Sequence, residues 1–159
     1  MQQQVDKSLW SKTIRPAWRS WAIVFIRLAV GLIFFTQGIL KYIDPNMGVN
    51  RFTKIGFPHP YFTAHFVGTF EIICGFFVLI GLFTRVAAIP LLIVICTAIA
   101  TTKIPELARP NQGFWFMASD ARADFAMLMS LLCLLRAGAG SWSFDARLAG
   151  STTLDEHAQ

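Results

Sequence analysis

Long apolar runs alternate with short polar ones along this chain, and the runs have the length of membrane helices. At 1.5 Å per residue, about 20 helical residues cross about 30 Å of hydrocarbon. Four windows approach that length: about 21–40, 64–82, 86–102 and 118–136. The first holds only Arg27 and Gln37 as strongly polar side chains, the second only His65 and Glu71, and the third no charge at all. Pro90 in the third window is expected as a kink, because neighbouring helices re-satisfy the backbone groups that a membrane proline frees. The fourth is apolar only from Phe125 to Leu135, so a full span extends back to about Ala118 and takes Asp120, Arg122 and Asp124 into or near the bilayer. The pattern predicts an all-α fold, an integral membrane four-helix bundle at 21–136, with a basic and aromatic segment at 1–20 and a polar tail at 137–159.

Between the first two windows lie 23 residues, Lys41 to Thr63, with turn formers at Asp44-Pro45 and Pro58-His59-Pro60. That is long for a plain helical connection. Val49, Phe52 and Ile55 recur every three residues within it, which predicts a short interfacial helix capping the bundle. The loop around Phe83 to Arg85 is very short and makes the second and third spans antiparallel neighbours.

Composition sharpens this picture. Of 159 residues, 55% are hydrophobic and only 14% charged, against about 25% charged in a soluble domain. Mean hydropathy is +0.53. A water-soluble enzyme is excluded, and membrane lipids are the expected surroundings. The net charge of +5 arises from 14 basic and 9 acidic residues scattered along the chain. No basic stripe with interleaved aromatics forms, which argues against nucleic acid as a partner. The first 20 residues are polar and basic, without the apolar stretch of a secretory signal.

Orientation follows from Lys and Arg outside the spans. With the N-terminus inside, Lys7, Lys12, Arg15, Arg19, Arg85, Arg136 and Arg147 fall on the inner side, and Lys41, Arg51, Lys54, Lys103 and Arg109 on the outer. The expectation is a multi-pass protein of the bacterial inner membrane with both termini cytoplasmic.

Charged groups within the bilayer mark function by default. Arg27, Gly31, Phe34, Gly38 and Lys41 share one face of the first helix, and Gly68, Glu71 and Gly75 share one face of the second. Glycines on both faces permit close helix approach. Helix rise places Arg27 about 9 Å and Glu71 about 16 Å from the inner ends of their spans, from which an Arg27–Glu71 ion pair is expected. Asp124, about 16 Å from the same side, shares the depth of Glu71. A locked ion pair alone explains Arg27 and Glu71. The further polar groups Gln37, Lys41, His65, Asp120 and Asp124 point to a cavity as well. For Asp120, Arg122 and Asp124, a later start of the fourth helix is the competing reading, since aspartate at a helix N-terminus is ordinary.

No His, Cys and carboxylate set has metal-ligand spacing, and no metal is expected. Cys74, Cys96 and Cys133 fall one to a span without paired spacing and read as small buried hydrophobes rather than a disulfide-exchange centre.

The runs RLAVGLIFFTQGILKY from Arg27, GTFEIICGFFVLIGLFTR from Gly68 to Arg85 and GAGSWSFDARL near the end resemble the DoxX family. The resemblance covers roughly Trp21 to Leu148, its most specific part being the glutamate in a glycine-rich span followed by Gly-Leu-Phe-Thr-Arg. It implies a four-helix membrane bundle related to the membrane subunit of a thiosulfate:quinone oxidoreductase. Arg27, Lys41, Glu71 and Arg85 are the matching polar positions, and Asp124 stands where relatives often carry an acid.

Two classes of function follow. In the first, a quinone or quinol lies between the helices, with Glu71 and Asp124 as catalytic proton acceptors and Arg27, Gln37, Lys41, His65 and Asp120 as ligand-binding groups. No electron carrier is visible in the sequence, so a soluble redox protein or other partner must supply one. In the second, the bundle is a non-catalytic anchor for soluble redox proteins and the buried charges fix helix register. A small transporter is the third alternative, drawn from the intramembrane carboxylates.

Overall fold

The computed structural model describes residues 21–108, 113–140 and 142–145; the segment 1–20 and the tail beyond 145 lie outside the described residues. The helices are α1 (Trp21–Ile43), α2 (Val49–Ile55), α3 (Pro60–Ile80), α4 (Thr84–Ala98), α5 (Phe114–Asp120) and α6 (Arg122–Ala137). There is no strand among the described residues. α4 runs on without a break as a π-helical turn, Ile99–Lys103, and a 3₁₀ turn, Ile104–Ala108. Three helices, Trp21–Ile43, Pro60–Ile80 and Thr84–Glu106, are long and apolar enough to cross a membrane.

α1 and α3 pack antiparallel along their glycines. A Cβ at Gly31 would lie 2.9 Å from the Gly75 carbonyl oxygen, and one at Gly38 would lie 2.8 Å from that of Gly68. The two backbones are therefore in direct contact, as small residues allow when lipid supplies no hydrophobic drive between helices. Around this pair, α4 packs on α3 and α6 packs on α4 and α1. Val30, Phe34, Val78, Ala88, Leu91, Leu131 and Leu134 form the core between them. Large exposed apolar side chains such as Phe25, Leu32, Phe66, Ile89 and Ile93 cover the outside. That is the inverse of a soluble surface and what a bilayer requires.

The helix ends depart from the apolar windows for identifiable reasons. α3 begins at Pro60 rather than near Ala64, because proline at the first helical position sacrifices only an amide that would be unpaired anyway. It stops at Gly81, which adopts φ +73° and donates to the Phe77 carbonyl at 2.9 Å. The expected fourth span from Ala118 is two helices, because the chain breaks at Ala121. Asp120 thus ends α5, while Asp124 sits in the first turn of α6. α2 forms over Val49–Ile55 and is closed by Gly56 at φ +85°. That turn brings Phe57 back onto Phe52, their rings 5.6 Å apart.

Candidate functional site

Glu71 lies midway along α3 and is buried together with its partner, which is Lys41 of α1. Side-chain exposure is 5% for the glutamate and 11% for the lysine. The expected Arg27–Glu71 pair does not form. Helix register explains the difference: contact of Gly31 with Gly75 and Leu79 brings Arg27 level with the end of α3, where it lies against Gly81. Gly81 is ten residues beyond Glu71, or about 15 Å along the helix. The depths assumed that the inner ends of the two spans, Trp21 of α1 and Leu82 after α3, lie level, whereas glycine contact sets the register and brings Arg27, further along α1, level with Gly81.

Arg27 serves the opposite end of the bundle. It is buried and donates through Nη1 to the Ala139 carbonyl at 2.8 Å. Asp145 acts on it electrostatically. The same Asp145 carboxylate accepts the Phe83 amide at 2.8 Å and the Thr84 amide at 3.3 Å, so it caps α4 across more than 60 residues of sequence. Its own amide donates to the Gly81 carbonyl at 3.1 Å. Exposed N-terminal amides of a helix favour such a carboxylate both by hydrogen bonding and by the helix dipole. Trp142 beside Asp145 meets Trp21 at the start of α1, the rings 4.7 Å apart. The closing segment therefore fastens the first helix to the α3–α4 turn.

A cavity of about 390 Å³ opens between α1, α3, α4 and α6, under α2. Gln37, Lys41, Glu71 and Asp124 all line it. Arg27, His65 and Asp120 do not. His65 is held outside by Tyr42 and Tyr61, whose rings lie 4.8 and 4.2 Å from the imidazole, and its Nδ1 is 2.7 Å from the Tyr61 carbonyl. Asp120 is exposed at the end of α5 and pairs with Lys103, which also approaches Asp124 at 3.9 Å. That lysine holds the Asp120 carboxyl below the usual carboxylate range, by hydrogen bond first and by charge second. Among the described residues no group of His, Cys, Asp or Glu is placed to hold a metal, and the three cysteines are free.

Reasoning from sequence missed two contributors. Arg51 lines the cavity from α2; the signal was its place beside Phe52 on a helix expected to cap the bundle. The π-helical turn Ile99–Lys103 places Thr101 and Thr102 on the cavity wall and Lys103 between the two aspartates. Such local widening often marks a functional position. Thr97, Thr101 and Thr102 bond back to carbonyls of their own helix, the local hydrogen bond open to a threonine within a helix.

The rest of the cavity is apolar: Phe34, Phe52, Ile55, Phe57, Val67, Val94 and Met127 contribute to its walls. Ile33, Phe66 and Ile93 line it and are also exposed on the outer surface of the bundle, so the chamber meets the lipid-facing side. Fold and site define a small α-helical membrane protein enclosing a lipid-facing chamber with a buried ion pair on its wall. The chain belongs to the DoxX family, whose profile covers residues 22–104. It is 46% identical over 137 residues to "Uncharacterized membrane protein Rv3486" of Mycobacterium tuberculosis (strain ATCC 25618 / H37Rv), covering 83% of this chain and 84% of that one. It is 28% identical over 122 residues to "Putative oxidoreductase CatD" of Bacillus subtilis (strain 168), covering 77% and 83% respectively. No solved structure gives a significant match.

Proposed function

We propose that the chain is a redox component of the bacterial plasma membrane, with both termini cytoplasmic, that binds a quinone or quinol in the cavity between its helices. The observation that carries this reading is the make-up of the chamber: apolar walls with exposed Ile33, Phe66 and Ile93 at the lipid side, and Lys41, Glu71, Gln37 and Asp124 converging inside. A volume of about 390 Å³ falls in the range of small-molecule sites, about 300–1,000 Å³. The kinship with a chain named as an oxidoreductase adds weak support.

When bound, the quinone couple supplies the exchange of two electrons and two protons. The protein's own part is to seat the ring and handle protons. Lys41 is the ion-pair partner of Glu71, and a carboxylate so paired is an acceptor for a proton from a ring hydroxyl. The Gln37 side-chain amide is a donor suited to a ring carbonyl. Asp124 is a second acceptor, and Lys103 links it to exposed Asp120 and hence to water. The two electrons that leave the ring as these acids take its protons pass to a soluble partner, because the described residues around the cavity include no redox-active centre.

Mass spectrometry of lipophilic molecules copurifying with the protein tests this reading. Quinone retained by the unmodified chain and lost from Glu71→Gln and Asp124→Asn is the expected result. A folded preparation devoid of quinone overturns it.

A further inference from the structure

The acids on and beside the cavity wall are each held by a lysine. Glu71 pairs with Lys41, while Lys103 serves both Asp120 and Asp124. Arg51 has a different position. It lines the cavity from α2, acts electrostatically on Glu71 and Asp120, and forms no ion pair with any described residue. An arginine does not shed its charge in a protein, so a permanent cation, exposed on its outer side, stands at the roof of the chamber. Its backbone is well placed: the Arg51 amide donates to the Gly48 carbonyl at 3.1 Å, and the next residue, Phe52, is clamped against Phe57.

A neutral ring gains little from such a cation. An anionic oxygen adds full charge–charge attraction to the hydrogen bond that a neutral carbonyl would also accept, with the apolar walls of the cavity displacing water on its inner side. Lys41 is poorly suited to the same task, because its ammonium is engaged by Glu71. We propose that Arg51 selects for the cavity those ring ligands that carry an ionised hydroxyl, namely hydroxyquinones and acidic phenols, with the anionic oxygen at the guanidinium. The proposal rests on the reading of this cavity as a quinone site and adds the charge of the preferred ligand to it.

Two probes separate the outcomes: a 2-hydroxy-3-alkyl-1,4-naphthoquinone, ionised at neutral pH, and its 2-methoxy ether, which has the same ring and tail without the acid. Binding is measured by quenching of tryptophan fluorescence with the full chain in nanodiscs of phosphatidylcholine. The hydroxy compound binds the unmodified protein about tenfold more tightly than the ether, a difference of one charge-assisted contact. Arg51→Gln brings the ratio close to one, with circular dichroism showing that the variant is folded; Arg51→Lys restores part of the ratio. Equal binding of the two probes by the unmodified chain, or a ratio unmoved by Arg51→Gln, overturns the proposal while leaving the quinone site standing. Failure of both probes to bind removes the quinone site itself, and this proposal with it.

Discussion

Glu71 of α3 takes its counter-charge from Lys41, in the last turn of α1, while Arg27 of the same α1 is bound at the far end of the bundle to the Ala139 carbonyl. Two basic residues on one helix face thus have separate duties, one at the cavity and one at the closing segment.

This separation is measurable. Lys41→Met or Glu71→Gln alone strands a buried polar partner, and each is expected to cost about 3–5 kcal/mol of stability in detergent. The double variant recovers much of that loss. In a double-mutant cycle, Arg27→Met and Glu71→Gln add without coupling, because their sites share no partner. Strong Arg27–Glu71 coupling in thermal unfolding would contradict the register described above.

Glycine contact between α1 and α3 leaves no space for a methyl group. A Cβ at Gly31 would stand 2.7 Å from Leu79 Cγ and one at Gly75 would stand 2.8 Å from the Phe35 amide nitrogen. Gly75→Ala meets backbone, so the helices must separate; overpacking of this kind costs about 1–3 kcal/mol. An unchanged midpoint of thermal unfolding for Gly75→Ala would show that the helices are not in such close contact.

Removing the Asp145 carboxylate uncaps α4 from a distance. Asp145→Ala is expected to cost about 0.5–2 kcal/mol, as for other lost N-terminal caps, and to raise hydrogen exchange at the Phe83 and Thr84 amides. Exchange at those amides identical to that of the unmodified chain would rule the cap out.

Asp120 titrates below an ordinary aspartate because Lys103 hydrogen-bonds its charged form. A depressed folded value stabilises the fold above the unfolded value of about 3.9, and that contribution disappears as pH falls through the lower folded value. The Asp120–Lys103 contact therefore outlasts the pH at which free aspartate is half protonated. Carbon-13 titration of the Asp120 carboxyl should show its midpoint rising in Lys103→Gln; a midpoint unaffected by that change would mean that the contact is absent in solution.

How far the sequence could be read depends on which force governed each feature. Burial of Arg27, Gly31, Phe34 and Gly38 on one face of α1, and of Gly68, Glu71 and Gly75 on one face of α3, was visible in the spacing, because one dominant force sorts side chains between lipid and bundle interior. The helix at Val49–Ile55 was visible for a similar reason. Register was not. It depends on contacts between glycine backbones that no periodicity encodes, and with Arg27 level with Gly81, ten residues beyond Glu71, the partner of Glu71 is Lys41 rather than Arg27. Gln37, Lys41, Glu71 and Asp124 line one cavity, and their depth along the helices is what grouped them in the sequence. His65 and Asp120 were grouped with them by depth too, but Tyr61 and Lys103 engage them elsewhere, which depth along a helix does not report.

The backbone contact of α1 with α3 also determines which part of the cavity can yield. Two helices locked groove to groove cannot slide by a residue without collision, so the wall bearing Lys41 and Glu71 behaves as a fixed frame. The opposite wall is built from a helix that contains Pro90 and then loosens into a π-helical turn at Ile99–Lys103. The far side is therefore the part of the cavity free to yield, with Lys103 and its two aspartates carried along, while the Lys41–Glu71 pair holds still.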